Sequence, residues 1–275
     1  MKLAKTSAKK KQGFTLIELS IVLVIIGLIV GGVLVGQDLI KAAETRATVA
    51  QVEKYNTAIN TFRSKFNGLP GDLQATESSS FGLFGFTGSS AGTAGMGDGN
   101  GLLQSASSGN LTYGIGETLA FWRHLSDANL VDGAFGSSGS SLIVASTGAT
   151  TGAVSNIAQS LPPAKLGRGN SFAIYANAGK NYYEINGITA ITTAGAYTAA
   201  SPQLTPQETY SIEVKVDDGQ PNTGNVKAKG PAATGALNKD PTTTAGTGCA
   251  TGTAATDTYI RTNTSPACAA QFGTQ

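Results

Sequence analysis

The chain is poor in charge, histidine and cysteine. Charged residues make up 13% of its 275 residues, and it has one histidine (His124), one tryptophan (Trp122) and two cysteines, Cys249 and Cys268. A charge-rich helical cytosolic enzyme is excluded by that composition. A Cys/His zinc cluster cannot be completed with one histidine, and a Ser-His-Asp triad could use only His124, which nothing in the sequence singles out. There is no P-loop, no dinucleotide glycine fingerprint, no Gly-x-Ser-x-Gly and no His-Glu-x-x-His. An enzyme is therefore not expected. Two local absences say more. Proline is missing from Phe14 to Phe66, and charge is missing from Leu19 to Gly36.

What fills that uncharged stretch is apolar: Ile-Val-Leu-Val-Ile-Ile-Gly-Leu-Ile-Val-Gly-Gly-Val-Leu-Val after Leu19 and Ser20. With Phe14 to Ile17 in front, the run reaches the roughly 20 residues that cross a bilayer core. Glu18 interrupts it, and a carboxylate there costs on the order of 2.5–3.5 kcal/mol unless paired. Five lysines (Lys2, Lys5, Lys9, Lys10, Lys11) and no acid precede Gly13. Such a flank stays cytoplasmic, which places everything after Val35 on the far side of the membrane. Removing those five from the 19 basic residues leaves 14 against 17 acidic, a formal −3, so strong nucleic-acid binding is not expected. A conventional signal peptide would have a shorter apolar core. An uncut signal anchor is the stronger rival, but it leaves Gly13, Phe14 and Glu18 unexplained.

Lys9-Lys10-Lys11-Gln12-Gly13-Phe14-Thr15-Leu16-Ile17-Glu18 resembles the leader and cleavage site of type IV pilins and pseudopilins. The resemblance is close over residues 9–70 and beyond that extends only to overall plan. It implies cleavage between Gly13 and Phe14 by a prepilin peptidase, which also methylates the new Phe14 amine. It further implies that Glu18 serves assembly, pairing with the amine of a staggered neighbour. Glu18 lies four residues beyond Phe14, about 6 Å along a helix. An interaction with its own helix N-terminus is the competing use. Many pilins carry a helix-breaking proline where Val35 and Gly36 stand here. Gly27, Gly31, Gly32 and Gly36 either take over that role or serve ordinary close helix packing.

Gly68 and Pro70 supply a stop, so one helix of about 50 residues, about 75–80 Å long, is expected. Leu39, Val49, Val52, Tyr55, Ile59, Phe62 and Phe66 fall on one face. That seam suits packing on the chain's own head, with a coiled coil as the alternative. Residues 74–110 read as loop, and Gly97-Asp98-Gly99-Asn100-Gly101 as a turn, since it lacks the ligand spacing of an EF-hand. Residues 115–130 read as a short helix with Ile115, Leu119, Trp122 and Leu125 inward, and His124 as surface or core filler. Strands are expected at Phe172–Tyr175, Tyr182–Ile185, Tyr210–Val216 and Val226–Lys229. Gly179-Lys180-Asn181 reads as a hairpin connection and Asp217-Asp218-Gly219 as a turn after the third strand. The sheet should be antiparallel, with one face on the long helix and the other exposed. Asp217 and Asp218, with Asn222 and Asn225, are weak calcium candidates that could equally be plain turn residues. Cys249 and Cys268 read as a disulfide worth roughly 3 kcal/mol, against two free thiols. A C-terminal disulfide loop also resembles many type IV pilins.

The expected fold class is α+β and pilin-like. Residues 1–13 would be a basic leader, 14–36 the transmembrane and assembly half of the helix, 37–68 its amphipathic half, and 69–275 a periplasmic head with low-complexity loops. The resemblance implies a subunit of a type IV pilus-like filament, held first in the bacterial inner membrane with its N-terminus cytoplasmic and then moved into the pilus. A pseudopilin of type II secretion and a non-polymerising anchored binding domain are the alternatives. Its partners would be the prepilin peptidase/methyltransferase, other pilin subunits, an inner-membrane assembly platform and the lipid bilayer. No cofactor is expected beyond the weak calcium reading.

Overall fold

In a computed structural model the described residues are 15–86, 95–104, 116–136, 156–177, 179–191, 197–199, 203–230, 248–252 and 254–274. The first helix, α1, runs from Leu16 to Phe66 and is 51 residues long. The chain divides into two compact units, one ending at Ala43 and one running from Glu44 to Gln275.

The first unit is the apolar part of α1. Its large side chains are exposed from Leu16 (87%) to Ile40 (60%). The helix is long and apolar enough to cross a membrane. Sustained backbone pairing with no proline keeps such a segment helical in lipid.

The second unit begins with the rest of α1, which buries Thr45, Thr48, Val52, Tyr55, Ala58, Ile59, Phe62 and Phe66. From Val49 on this is the seam that the spacing predicts, and it faces the head, but Leu39 does not belong to it: that side chain is 67% exposed and lies in the first unit. The Tyr55 ring lies 5.0 Å from Trp122, 5.1 Å from Phe172 and 6.0 Å from Tyr183. The helix ends where Asn67 takes a left-handed conformation (φ 53°) and its N–H returns to the Arg63 carbonyl, a cap that asparagine tolerates. A short helix, α2 (Ala75–Ser80), follows inside the stretch expected to be loop. The third, α3 (Glu117–Asp127), buries Leu119, Trp122 and Leu125 as expected; Ile115 lies outside the described residues.

The strands are β1 (Asn170–Asn177), β2 (Lys180–Ile191), β3 (Tyr197–Ala199), β4 (Val226–Lys229) and β5 (Ala269–Gly273). They pair antiparallel in the order β1-β2-β5-β4, with β3 also on β2. The β1–β2 turn sits one or two residues earlier than the sequence suggested, since Lys180 already pairs with Asn177. Phe172, Tyr183 and their face-mates meet α1. The opposite face is not exposed, contrary to expectation. Glu184, Asn186, Gln271 and Lys229 on it are all buried, so the period-two pattern marks a polar buried face rather than a solvated one.

A second correction concerns Tyr210–Val216, which is helix and not strand. It belongs to α4 (Pro206–Val216). The apolar alternation there is coincidental, because Val214 and Val216 are exposed while Thr209, Ile212 and Glu213 are buried at helical spacing. Thr205 and Glu208 form a capping box, and Pro206 occupies the first turn. Those start signals outweigh the β propensity of Ile and Val. Asp217-Asp218-Gly219 is thus a turn after a helix.

Candidate functional site

At the N-terminal end of α1, Thr15 precedes the first helical residue and Glu18 is exposed three positions later. The Thr15 N–H and Oγ–H both donate to Glu18 Oε2, at 2.8 and 2.7 Å. The Glu18 N–H points back to Thr15 Oγ at 3.3 Å. This is a capping box. Glu18 therefore satisfies its own helix N-terminus, the use that competes with pairing to a neighbour. Thr15 was missed at the sequence level, although Thr-x-x-Glu before an apolar run is its ordinary signature. Gly13 and Phe14 lie outside the described residues. Around Gly27, Gly31, Gly32 and Gly36 a Cβ would meet nothing within 4 Å, so no contact among the described residues requires these glycines.

Cys249 and Cys268 form a disulfide across a sequence separation of 19, with Cα atoms 5.2 Å apart. Both are buried. The bridge lies where Leu204 pairs with Cys268, just ahead of β5. It ties the residues around Cys249 to the segment that leads into β5, which Leu204, just ahead of α4, holds by backbone pairing.

Asp217 and Asp218 act as turn residues. Asp217 Oδ2 accepts from the Asn225 and Val226 amides, and Asp218 accepts from Gln220 N–H at 2.9 Å and from the Thr223 hydroxyl. Asn222 donates to the Gly252 and Ala254 carbonyls and Asn225 to that of Gly273. Among the described residues the carboxylates that converge are instead Asp72, Asp98 and Glu117, with ligand oxygens within 4.8 Å of one another. The Gly97–Gly101 turn wraps this cluster. Gly97 and Gln104 amides donate to Glu117, both at 2.8 Å, and Gly99 and Gly101 amides donate to Asp72 at 2.9 and 2.6 Å. Three such carboxylates suit a hard cation in kind, but four backbone donors already occupy the oxygens of Asp72 and Glu117. Burial pushes the Glu117 carboxyl up to about 8, against those N–H groups and helped by Asp72. Burial raises Asp72 as well. Sequence spacing could not show this cluster, because its members lie far apart in the chain.

His124 is core filler, fully buried. Its Nδ1 accepts from the Gly71 N–H at 2.8 Å, and its Nε2 faces the Phe84 carbonyl at 2.6 Å, which fixes the neutral Nε2–H form. Burial lowers its pKa to about 4. Gly71 must be glycine there: φ is +89°, and a Cβ would stand 2.5 Å from the Glu117 carbonyl. Nothing in this arrangement resembles a base poised at a substrate.

No curated protein and no solved structure matches the chain. One family model does, over residues 8–34, and its description is a prokaryotic N-terminal methylation motif. With the apolar helix that follows it, the chain carries the prepilin-type segment of type IV pilins and pseudopilins.

Proposed function

We propose that the chain is a structural subunit of a type IV pilus-like filament. It is made as a prepilin, held in the inner membrane with its N-terminus cytoplasmic and its head periplasmic, cleaved after Gly13 and methylated on Phe14. It then polymerises through α1. The observation that carries this reading is the methylation motif at residues 8–34 set on an apolar helix whose large side chains are exposed. An exposed face that size needs lipid before assembly and other helices after it. Head-to-tail contacts that do not close generate a filament.

Glu18 is the register device in this proposal. A neighbour's cleaved N-terminus brings a cation that the Thr15 groups lack, and in an apolar layer a paired ammonium and carboxylate offset each other's burial. Intact mass and N-terminal sequencing of membrane-extracted protein test the processing, with a chain starting at methylated Phe14 expected. Glu18→Ala in sheared surface fractions tests assembly, and loss of the subunit from the filament is expected. Retention of residues before Gly13 in working protein would sink the reading and leave an anchored periplasmic domain.

A further inference from the structure

The polar face of the sheet holds a reactive arrangement that filament assembly does not use. On β5, Gln271 pairs with Glu184 of β2 and with Lys227 of β4, and Ala269 pairs with Lys229 of β4. The β2–β5 pairing ends at Ile185–Ala270, and its register continued by one residue sets Asn186 across from Ala269. Asn186, Ala269 and Lys229 thus form one row on one face, with only a methyl group between the two long side chains. Two strand spacings separate their Cα atoms by about 9–10 Å. An extended lysine and an asparagine side chain, with one new bond between them, span that gap.

All the members of the set are buried: Glu184 is 0% exposed, Lys229 2% and Asn186 5%. Glu184 sits at the centre. It accepts the Asn186 Nδ2–H at 3.1 Å on Oε1 and the Tyr175 hydroxyl at 2.9 Å on Oε2, and the Lys229 charge acts on it. Asn186 Oδ1 is buried with no hydrogen-bond partner among the described residues. Burial raises the Glu184 carboxyl above its ordinary range, so it readily holds a proton.

We propose that Lys229 and Asn186 are joined by an intramolecular amide bond, formed with Glu184 as the proton carrier and with loss of ammonia. In a desolvated site a carboxylate takes the ammonium proton, leaving a neutral amine. The Nζ lone pair attacks Asn186 Cγ; the Nζ–Cγ bond forms and the carbonyl electrons move to Oδ1. Glu184, already bonded to Nδ2, gives its proton to that nitrogen and takes one from Nζ. The oxyanion collapses, the Cγ–Nδ2 bond breaks and ammonia leaves. Nζ has lost two protons in all, one now on ammonia and one on Glu184, and no oxidant or reductant is needed. Two buried charges are exchanged for a neutral amide and a neutral acid, which removes the desolvation cost of both. Tyr175 is a positioning residue that orients Glu184. Lys227 is on the same face but only half-buried, and it stands across from Gln271, whose side chain fills the row between it and β2.

The test is the intact mass of the reduced full-length chain, with peptide fragmentation. The expected result is a mass lower than that of the processed sequence by one ammonia, and a branched peptide joining the segment with Lys229 to the segment with Asn186. Lys229→Met and Glu184→Gln should each restore the full mass, and Lys227→Met should not. An unbranched wild-type chain at its full sequence mass overturns the proposal, as does an ammonia loss located elsewhere. The wild-type measurement alone decides, even where a variant fails to fold, and it is independent of whether the chain polymerises.

Discussion

The two halves of α1 have the same backbone structure and opposite surroundings. From Leu16 to Ile40 its large apolar side chains are exposed, whereas from Val52 to Phe66 its apolar face is closed by aromatic rings and the sheet. Helix formation in the second half rests on tertiary burial of one stripe. In the first half the apolar residues run around the whole circumference, and nothing among the described residues selects a face. A side chain's contribution to the stability of the head should therefore depend on which half it occupies, more than on its size.

Phe62→Ala would show this most strongly. Phe62 is fully buried against Phe66 and His124, and its loss should cost about 3–5 kcal/mol. Leu23→Ala in the exposed half should change head stability by no more than about 0.5 kcal/mol. Urea unfolding of the detergent-solubilised chain, followed by fluorescence of the single buried Trp122, measures both. Equal effects would mean that the halves are not energetically separate. Removing the disulfide by Cys249→Ser with Cys268→Ser should lower head stability by roughly 3 kcal/mol in the chain-entropy picture and leave the α1 N-terminus untouched.

His124 sharpens the comparison through pH. The fold holds it neutral down to about 4, while an unfolded histidine takes a proton near 6.5. Between those values the unfolded chain binds more protons, so this histidine's share of stability is complete above about 6.5. It is lost as pH falls, by an amount on the order of 3 kcal/mol. Asp72 and Glu117, raised by burial, titrate in the opposite sense. The informative quantity is therefore the difference between wild type and His124→Asn, whose amide oxygen can still accept from Gly71. That difference should shift toward the variant as pH drops from 7 to 4 in thermal melts, and a constant difference would refute the assignment. A smaller and purely local loss belongs to Thr15→Val. Loss of the cap should destabilise the first turn by about 1 kcal/mol, visible as faster amide exchange at residues 16–19 with no change in the head.

How much of this was legible in the sequence follows the range of the interactions. The extent of α1, its seam from Val49 to Phe66 and the inward face of α3 are local periodicities, and they appear where the spacing placed them. The helix at Pro206–Val216 was misread because Ile212, Val214 and Val216 alternate, although Thr205-Pro206-Gln207-Glu208 ahead of them is a helix start. Thr15 is legible as a cap from Thr-x-x-Glu ahead of the apolar run, but the carboxylate inside that run is the stronger signal and masks it. β5, Ala-Ala-Gln-Phe-Gly, has too weak an apolar pattern to stand out. The burial of Glu184, Lys229 and Gln271 and the meeting of Asp72 with Glu117 depend on strand order and loop closure, which no local pattern encodes.

The segment from Gly95 to Gln104 borrows its acceptors. It belongs to no helix or strand, and the amides of Gly97 and Gln104 end on Glu117, while Gly71 just upstream ends on His124. Buried amides cannot be left without acceptors. During synthesis, then, Gly97 and Gln104 lack their acceptor until Glu117 has left the ribosome, Leu103 until Asn181 has, and Gly71 until His124 has. A pause or cut before residue 117 would leave the amides of Gly71, Gly97 and Gln104 without the acceptors that the fold gives them.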